Sequence, residues 1–159
     1  MERVIKQLQQ RETKLNNDLI KALQSPLCDH KTICQITTQG LYLIIENNTI
    51  VYVGKTTRTG KVRMSELASD FRSHTLNRKL LSKRLRDLGF VFKTLKNETK
   101  KKWIDDNLIS SDEFASHQQQ INKHVREQFL FIFYPVSELA WLTSLEHYTI
   151  AVLNPIYND

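Results

Sequence analysis

Apolar positions along the chain follow two different periods. Over residues 2–24, Val4 or Ile5, Leu8, Leu15, Leu19 and Leu23 recur at spacings near three and four with polar residues between them, which predicts an amphipathic helix. Pro26 ends it. Three heptads broken by Arg11 make a weak coiled coil, so the helix is expected to pack on the sheet of its own domain. Residues 40–45 and 49–55 are instead dense runs of β-formers around Glu46-Asn47-Asn48 and predict a hairpin, since Asn tolerates the left-handed backbone of a tight reversal. A two-residue loop alone would send Tyr42 and Tyr52 to opposite faces. A three-residue loop, or an equivalent bulge, brings them to one face, and this is the arrangement expected.

The rest of the pattern alternates between helix and strand. Residues 33–38 extend the first strand or cross over to it. Val62, Leu67, Ala68 and Phe71 predict a helix over 61–74, with Arg63 in its first turn. Asn77 is placed to cap a second helix to Leu88, with Leu80, Leu81, Leu85 and Leu88 inward and Gly89 as its stop. Residues 90–95 suggest a short strand, 97–102 a polar basic connection, and 103–108 one or two helical turns. Ser110 and Glu113 have capping-box spacing before a helix over 112–128. The apolar run 129–134, stopped by Pro135, reads as the central or most buried strand. Ser137 would cap a last helix over 138–153. The fold class expected is α/β of the α+β type: a small, mainly antiparallel, three-stranded sheet flanked by helices, with the functional site on its exposed side.

Composition bounds this picture. A chain of 159 residues suits one domain, and no apolar run approaches the roughly 18 residues of a membrane-spanning helix. The charged, helical start lacks the apolar stretch of a signal peptide, which points to the cytoplasm. Cys28, His30 and Cys34 offer three soft ligands, but no nearby fourth completes a structural zinc site, so the two thiols are expected to be free and buried.

Charge changes the picture more than any other property. Between residues 54 and 102, fifteen Lys or Arg stand against four acids, a surplus of +11, so with a net charge of +6 the remainder carries −5. That block is the footprint of a polyanion-binding face, because neutralised phosphates release counterions. Lys55, Arg58, Arg72, Arg78, Lys79, Lys83, Arg84 and Arg86 are its candidate phosphate contacts. The plainer reading, a solvated helix surface, does not account for so one-sided an imbalance.

Glu146 is the one carboxylate the pattern places among apolar neighbours. It shares a stripe with Leu139, Leu142, Ile150 and Leu153, so it must be protonated, paired to a cation or bound to a metal. A structural salt bridge to an Arg of the first helix is the competing explanation.

These residues also carry a resemblance. Gly40-Leu41-Tyr42 and Tyr52-Val53-Gly54, the tyrosines ten positions apart, are followed in order by Arg63, Glu146 and Asn154. The arrangement resembles the GIY-YIG nucleases from about Gly40 to the C-terminus, leaving the first helix and a middle segment uncovered. Length and pattern give residues 1–159 as a single domain with an N-terminal helix over 1–26, and the resemblance implies a nuclease core over 33–159 with a basic helical insertion at about 75–128.

It further implies that Glu146 holds one divalent metal, Mg²⁺ or Mn²⁺, and that Arg63 contacts the scissile phosphate. Tyr42 would be the general base or water-orienting group, with Tyr52 beside it. A phenol is a weak base near neutral pH, and Lys55, Arg63 and the metal would make the assignment tolerable by favouring phenolate. Lys55 would assist that base or grip phosphate, Gly54 would allow close backbone approach, and Asn154 would be a supporting hydrogen bonder, unless it simply caps its helix. One departure stands out: Leu67 occupies the place where many members carry a His, and His74, two further turns along, is not assumed to replace it. The expected activity is metal-dependent endonucleolytic hydrolysis of nucleic acid, with DNA the foremost substrate. The alternatives are a non-catalytic nucleic-acid-binding module with the same fold and a protein-interaction domain built on the first helix.

Overall fold

The computed structural model describes residues 1–158. Ten elements follow one another: α1 (Glu2–Leu23), α2 (His30–Ile33), β1 (Gly40–Glu46), β2 (Thr49–Thr56), α3 (Gly60–Leu67), α4 (Thr75–Asp87), α5 (Asn97–Asp105), α6 (Ser111–Gln128), β3 (Leu130–Pro135) and α7 (Leu139–Leu153). The expected α+β class is observed, as a three-stranded antiparallel sheet in the order β2-β1-β3 with helices around it. Among the described residues no helix is long and apolar enough to cross a membrane.

The hairpin reverses through two residues, Asn47 and Asn48, both with positive φ (49° and 60°). That is the geometry a right-twisted hairpin prefers and Asn supplies. The three-residue loop is therefore not the one used. A bulge does its work: Glu46 pairs with Thr49 and Ile45 with Ile50, but Ile44 pairs with Tyr52, so Val51 is the extra residue. The insertion shifts the register by one and restores Tyr42 and Tyr52 to the same face. Tyr42 lies opposite Gly54, and the two tyrosines are diagonal neighbours rather than a direct pair.

The 129–134 run corrects a second expectation, because the central strand is β1. Every position from Gly40 to Ile45 is buried, whereas β3 pairs on one side only with β1 and meets a single residue, Cys28, on the other. Both sheet faces are covered, so no exposed side is left for a site. On one face Tyr42, Ile44, Tyr52, Phe131 and Phe133 pack with Met64, Leu67, Leu76, Leu81, Phe114 and Val125 of α3, α4 and α6. On the other, Leu41, Leu43, Val53 and Ile132 meet Leu15 and Leu19 of α1 and Leu142 and Leu145 of α7. Only the C-terminal half of α1 takes part, and Val4, Ile5 and Leu8 are at least half exposed.

Residues 33–38 form neither a strand nor a crossover: α2 ends at Ile33 and irregular chain leads to β1. The helix expected over 61–74 stops at Leu67, where Asp70 folds back onto the Arg72 N–H, a local bond that competes with further helix. His74, not Asn77, caps α4, its ring accepting from the Leu76 N–H. Asn77 is buried inside the helix and donates to the Leu67 carbonyl. Residues 90–95 form no strand and pair with neither edge of the sheet. Phe90 and Phe92 instead pack on Trp103, and the supposed connection at 97–102 is helical as the start of α5. Ser110 does cap α6. Ser137 does not cap α7: Glu138 occupies that position without a side-chain bond. The two thiols are free and half-buried rather than buried.

Candidate active site

The site grows from the outer edge of β2. An edge strand exposes N–H and C=O groups that must find partners, and here three side-chain or backbone groups from the C-terminal end of the chain supply them. The Val51 carbonyl accepts from the Tyr157 N–H at 3.0 Å. Val53 is gripped at both its polar atoms by Asn158, which accepts from the N–H and donates to the carbonyl, each at 2.7 Å. The Lys55 N–H donates to Glu146 Oε1 at 3.0 Å. Glu146 thus reaches from α7 round the end of β2, and its Oε2 takes the Lys55 ammonium at 2.6 Å. The pairing cation is Lys55 on the strand, not an Arg of α1.

Tyr42 projects from the covered face beneath this edge, and its side chain is completely buried. Gly54 lies opposite it because a Cβ there would run into the Tyr42 hydroxyl. That oxygen meets the Arg63 Nε at 3.3 Å and the His74 Nε2 at 3.0 Å. Tyr52 stacks on Tyr42 with ring centroids 6.2 Å apart, and His74 stands against both rings. Arg63 is held from α3, with Nη1 donating to Glu66 Oε2 and to the Ser73 carbonyl. Arg58 binds the same Glu66 oxygen at 2.7 Å.

Burial dominates the electrostatics. It pushes the Tyr42 phenol well above its ordinary value, the Tyr52 charge adds to this, and Arg63 opposes without prevailing. Tyr52 is raised as well, first by burial, with Arg63 opposing. The expectation that nearby cations would favour a Tyr42 phenolate is therefore reversed in the free protein. His74 is pushed down to about 3, by burial and then by the Arg63 charge. Glu146 acts on both phenols, which puts its carboxylate in the same electrostatic neighbourhood.

The basic positions separate into groups. Arg78, Lys79, Lys83 and Arg86 line one cleft of about 430 Å³ together with Lys93 and Tyr157. Arg78, Ser82 and Arg86 follow each other at helical spacing on α4, a stripe about 12 Å long at 1.5 Å per residue. Lys79 also donates to the Tyr157 carbonyl at 3.0 Å, tying the segment that closes β2 to α4. Arg84 lines a different cleft and donates to His117 Nδ1 at 3.0 Å. Arg72 is exposed and paired with Asp70.

Two residues of this arrangement carry no sequence signal of their own. His74 comes to Tyr42 from 32 residues away, and the 68–74 turn that brings it there interrupts the expected helix. Asn158 makes the bonds anticipated of a supporting amide, while Asn154 is the left-handed C-cap of α7 with φ 45°. Among the described residues no three His, Cys, Asp or Glu side chains form a group able to hold a metal by themselves. Compared with protein-family models, curated proteins and solved structures, the chain matches none.

Proposed function

We propose that this protein is a divalent-metal-dependent endonuclease that hydrolyses phosphodiester bonds in nucleic acid, DNA foremost, with a site of GIY-YIG type. The observation that supports it best is the convergence of Tyr42, Tyr52 and Arg63 with the Glu146–Lys55 pair at one end of β2, beside the cationic cleft of α4. A fork-shaped cation, hydroxyls and a lone carboxylate together suit the chemistry of phosphate.

The donor set fits a single ion. Glu146 offers one hard carboxylate, and the Lys55 ammonium at Oε2 already occupies a cation's position there. Mg²⁺ or Mn²⁺ suits such a site, keeping its waters and taking its other ligands from substrate phosphate. When bound, it would neutralise charge on the departing oxygen.

The chain's own residues would do the rest. Arg63 binds the non-bridging oxygens, whose charge grows as water attacks phosphorus and the bond to the leaving oxygen breaks. Lys55, which pairs with Glu146 in the free protein, would grip the same phosphate. Tyr42 stays a neutral phenol in the free enzyme and supports Tyr52, stacked on it, which orients the attacking water. Arg78, Lys79, Lys83 and Arg86 hold the backbone of the strand being cut.

A second reading, a non-catalytic nucleic-acid-binding module, is favoured by one observation: both Glu146 oxygens already have a donor in Lys55. Cleavage of duplex, single-stranded and branched DNA with Mg²⁺ or Mn²⁺, by wild type and Glu146→Gln, separates the two. Metal-dependent cutting that falls at least a hundredfold in the variant is the expected result. Salt-sensitive binding by both proteins with no cutting by either would establish the binding module instead.

A further inference from the structure

His74 is the one buried titratable group beside the reacting residues that the proposed mechanism leaves without a role. Its side chain is 2% exposed, and both ring nitrogens are engaged. Nδ1 lies 3.1 Å from the Leu76 N–H, a group that can only donate, so Nδ1 is the acceptor. A neutral imidazole with an accepting Nδ1 carries its hydrogen on Nε2. That hydrogen then points at the Tyr42 oxygen, 3.0 Å away. Arg63 Nε can likewise only donate, and it donates to the same oxygen. A phenol oxygen accepting from two sides has no acceptor in either direction for its own hydrogen. The ring stacked on Tyr42 is that of Tyr52, and the Tyr42 hydrogen is left to the side that the two donors do not occupy.

We infer that His74 is a positioning residue: locked as the Nε2–H tautomer by the first turn of α4, it donates with Arg63 to the Tyr42 oxygen and turns the Tyr42 hydrogen away from both donors. The imidazole is then a fixed donor and takes up no proton during the reaction. The charged or titratable groups facing it are Tyr42 of β1, Tyr52 of β2 and Arg63 of α3. None of them favours an imidazolium at neutral pH, since Arg63 repels it and the phenols are neutral. The catalytic consequence rests on the nuclease reading, whereas the tautomer and the direction of the hydrogen bond do not.

Two measurements test it on the full chain. Long-range ¹H–¹⁵N correlation spectra of the ring should show the Nε2–H pattern for His74, unchanged between pH 5 and 8. An Nδ1–H pattern, or titration within that range, overturns the inference even if the protein cuts nothing. His74→Asn keeps a side chain that caps α4 well but is too short to reach Tyr42. With ¹³Cζ-labelled tyrosine, the Tyr42 resonance should move in this variant while the amide spectrum of α4 stays in place. An unmoved Tyr42 resonance overturns the contact. If the chain cuts DNA, kcat should fall ten- to a hundredfold with KM within about twofold, and the acid limb of the pH–rate profile should survive. Loss of that limb would make His74 a proton acceptor and refute the positioning role.

Discussion

Replacing Asn158 with alanine removes two hydrogen bonds and nothing else of size, which makes it a clean probe of how the β2 edge is held. Val53 is fully buried, and both of its outward polar atoms rely on the Asn158 amide, each at 2.7 Å. A hydrogen bond of this kind contributes about 1 kcal/mol net, and a buried donor or acceptor left without a partner costs about 1–3 kcal/mol. The truncated side chain leaves room for water to reach the edge, so the expected loss lies near the lower end, about 2–3 kcal/mol for the pair.

For a domain of this size that corresponds to a fall in Tm of about 4–10 °C. Urea denaturation should show the midpoint moving at constant m, because the surface exposed on unfolding hardly changes. Asn158→Asp sharpens the test. It keeps an acceptor for the Val53 N–H but sets a carboxylate oxygen against the Val53 carbonyl, so it should also destabilise. A loss below about 0.5 kcal/mol in Asn158→Ala would be within the range of an ordinary surface substitution. It would refute the idea that the C-terminal segment closes this edge.

Gly54→Ala should cost at least about 2 kcal/mol and disturb the Tyr42 hydroxyl, because the new methyl meets that group directly; near-UV circular dichroism and denaturation report both effects. The low pKa of His74, about 3 in the fold against an unfolded value of 6.5, makes its contribution to stability complete above pH 6.5 and progressively lost as pH falls toward 3. At pH 4.5 the loss relative to pH 7 is about 2–3 kcal/mol. It should be absent from His74→Asn when the two proteins' urea midpoints are compared at both pH values. In the cleft of α4, Arg78→Ala and Arg86→Ala should each lower the slope of log K for DNA against log salt by about 1 if each neutralises a phosphate. Arg84→Ala, on the other cleft, should leave that slope unchanged.

Much of the local structure was written in the sequence. The bounds of α1, the Ser110 cap of α6 and the hairpin with its Asn-Asn reversal follow from periods of 3.6 and 2 and from the backbone tolerance of Asn, which are properties of neighbouring residues. So was the tyrosine pair on one face, although the bulge at Val51 that achieves it and the length of the turn were open. Glu146 was also identifiable as a carboxylate in need of a partner, from its apolar stripe alone.

The partner was not, and the reason is general to this fold. Glu146 meets Lys55 across 91 residues, Asn158 meets Val53 across 105 and His74 meets Tyr42 across 32. Short-range patterning carries no information about such pairs. The same limit explains why the 129–134 run looked central: its hydrophobicity reports burial on both faces, and burial does not distinguish a middle strand from an edge. Sequence determined the hairpin, the long helices α1, α6 and α7 and most of the kinds of side chain at the site. Tertiary structure decided which edge the C-terminus would close, which cation would meet the carboxylate and which imidazole would reach the buried phenol. Those choices depend on how helices with ordinary apolar stripes stack over two sheet faces, and only the packed chain makes them.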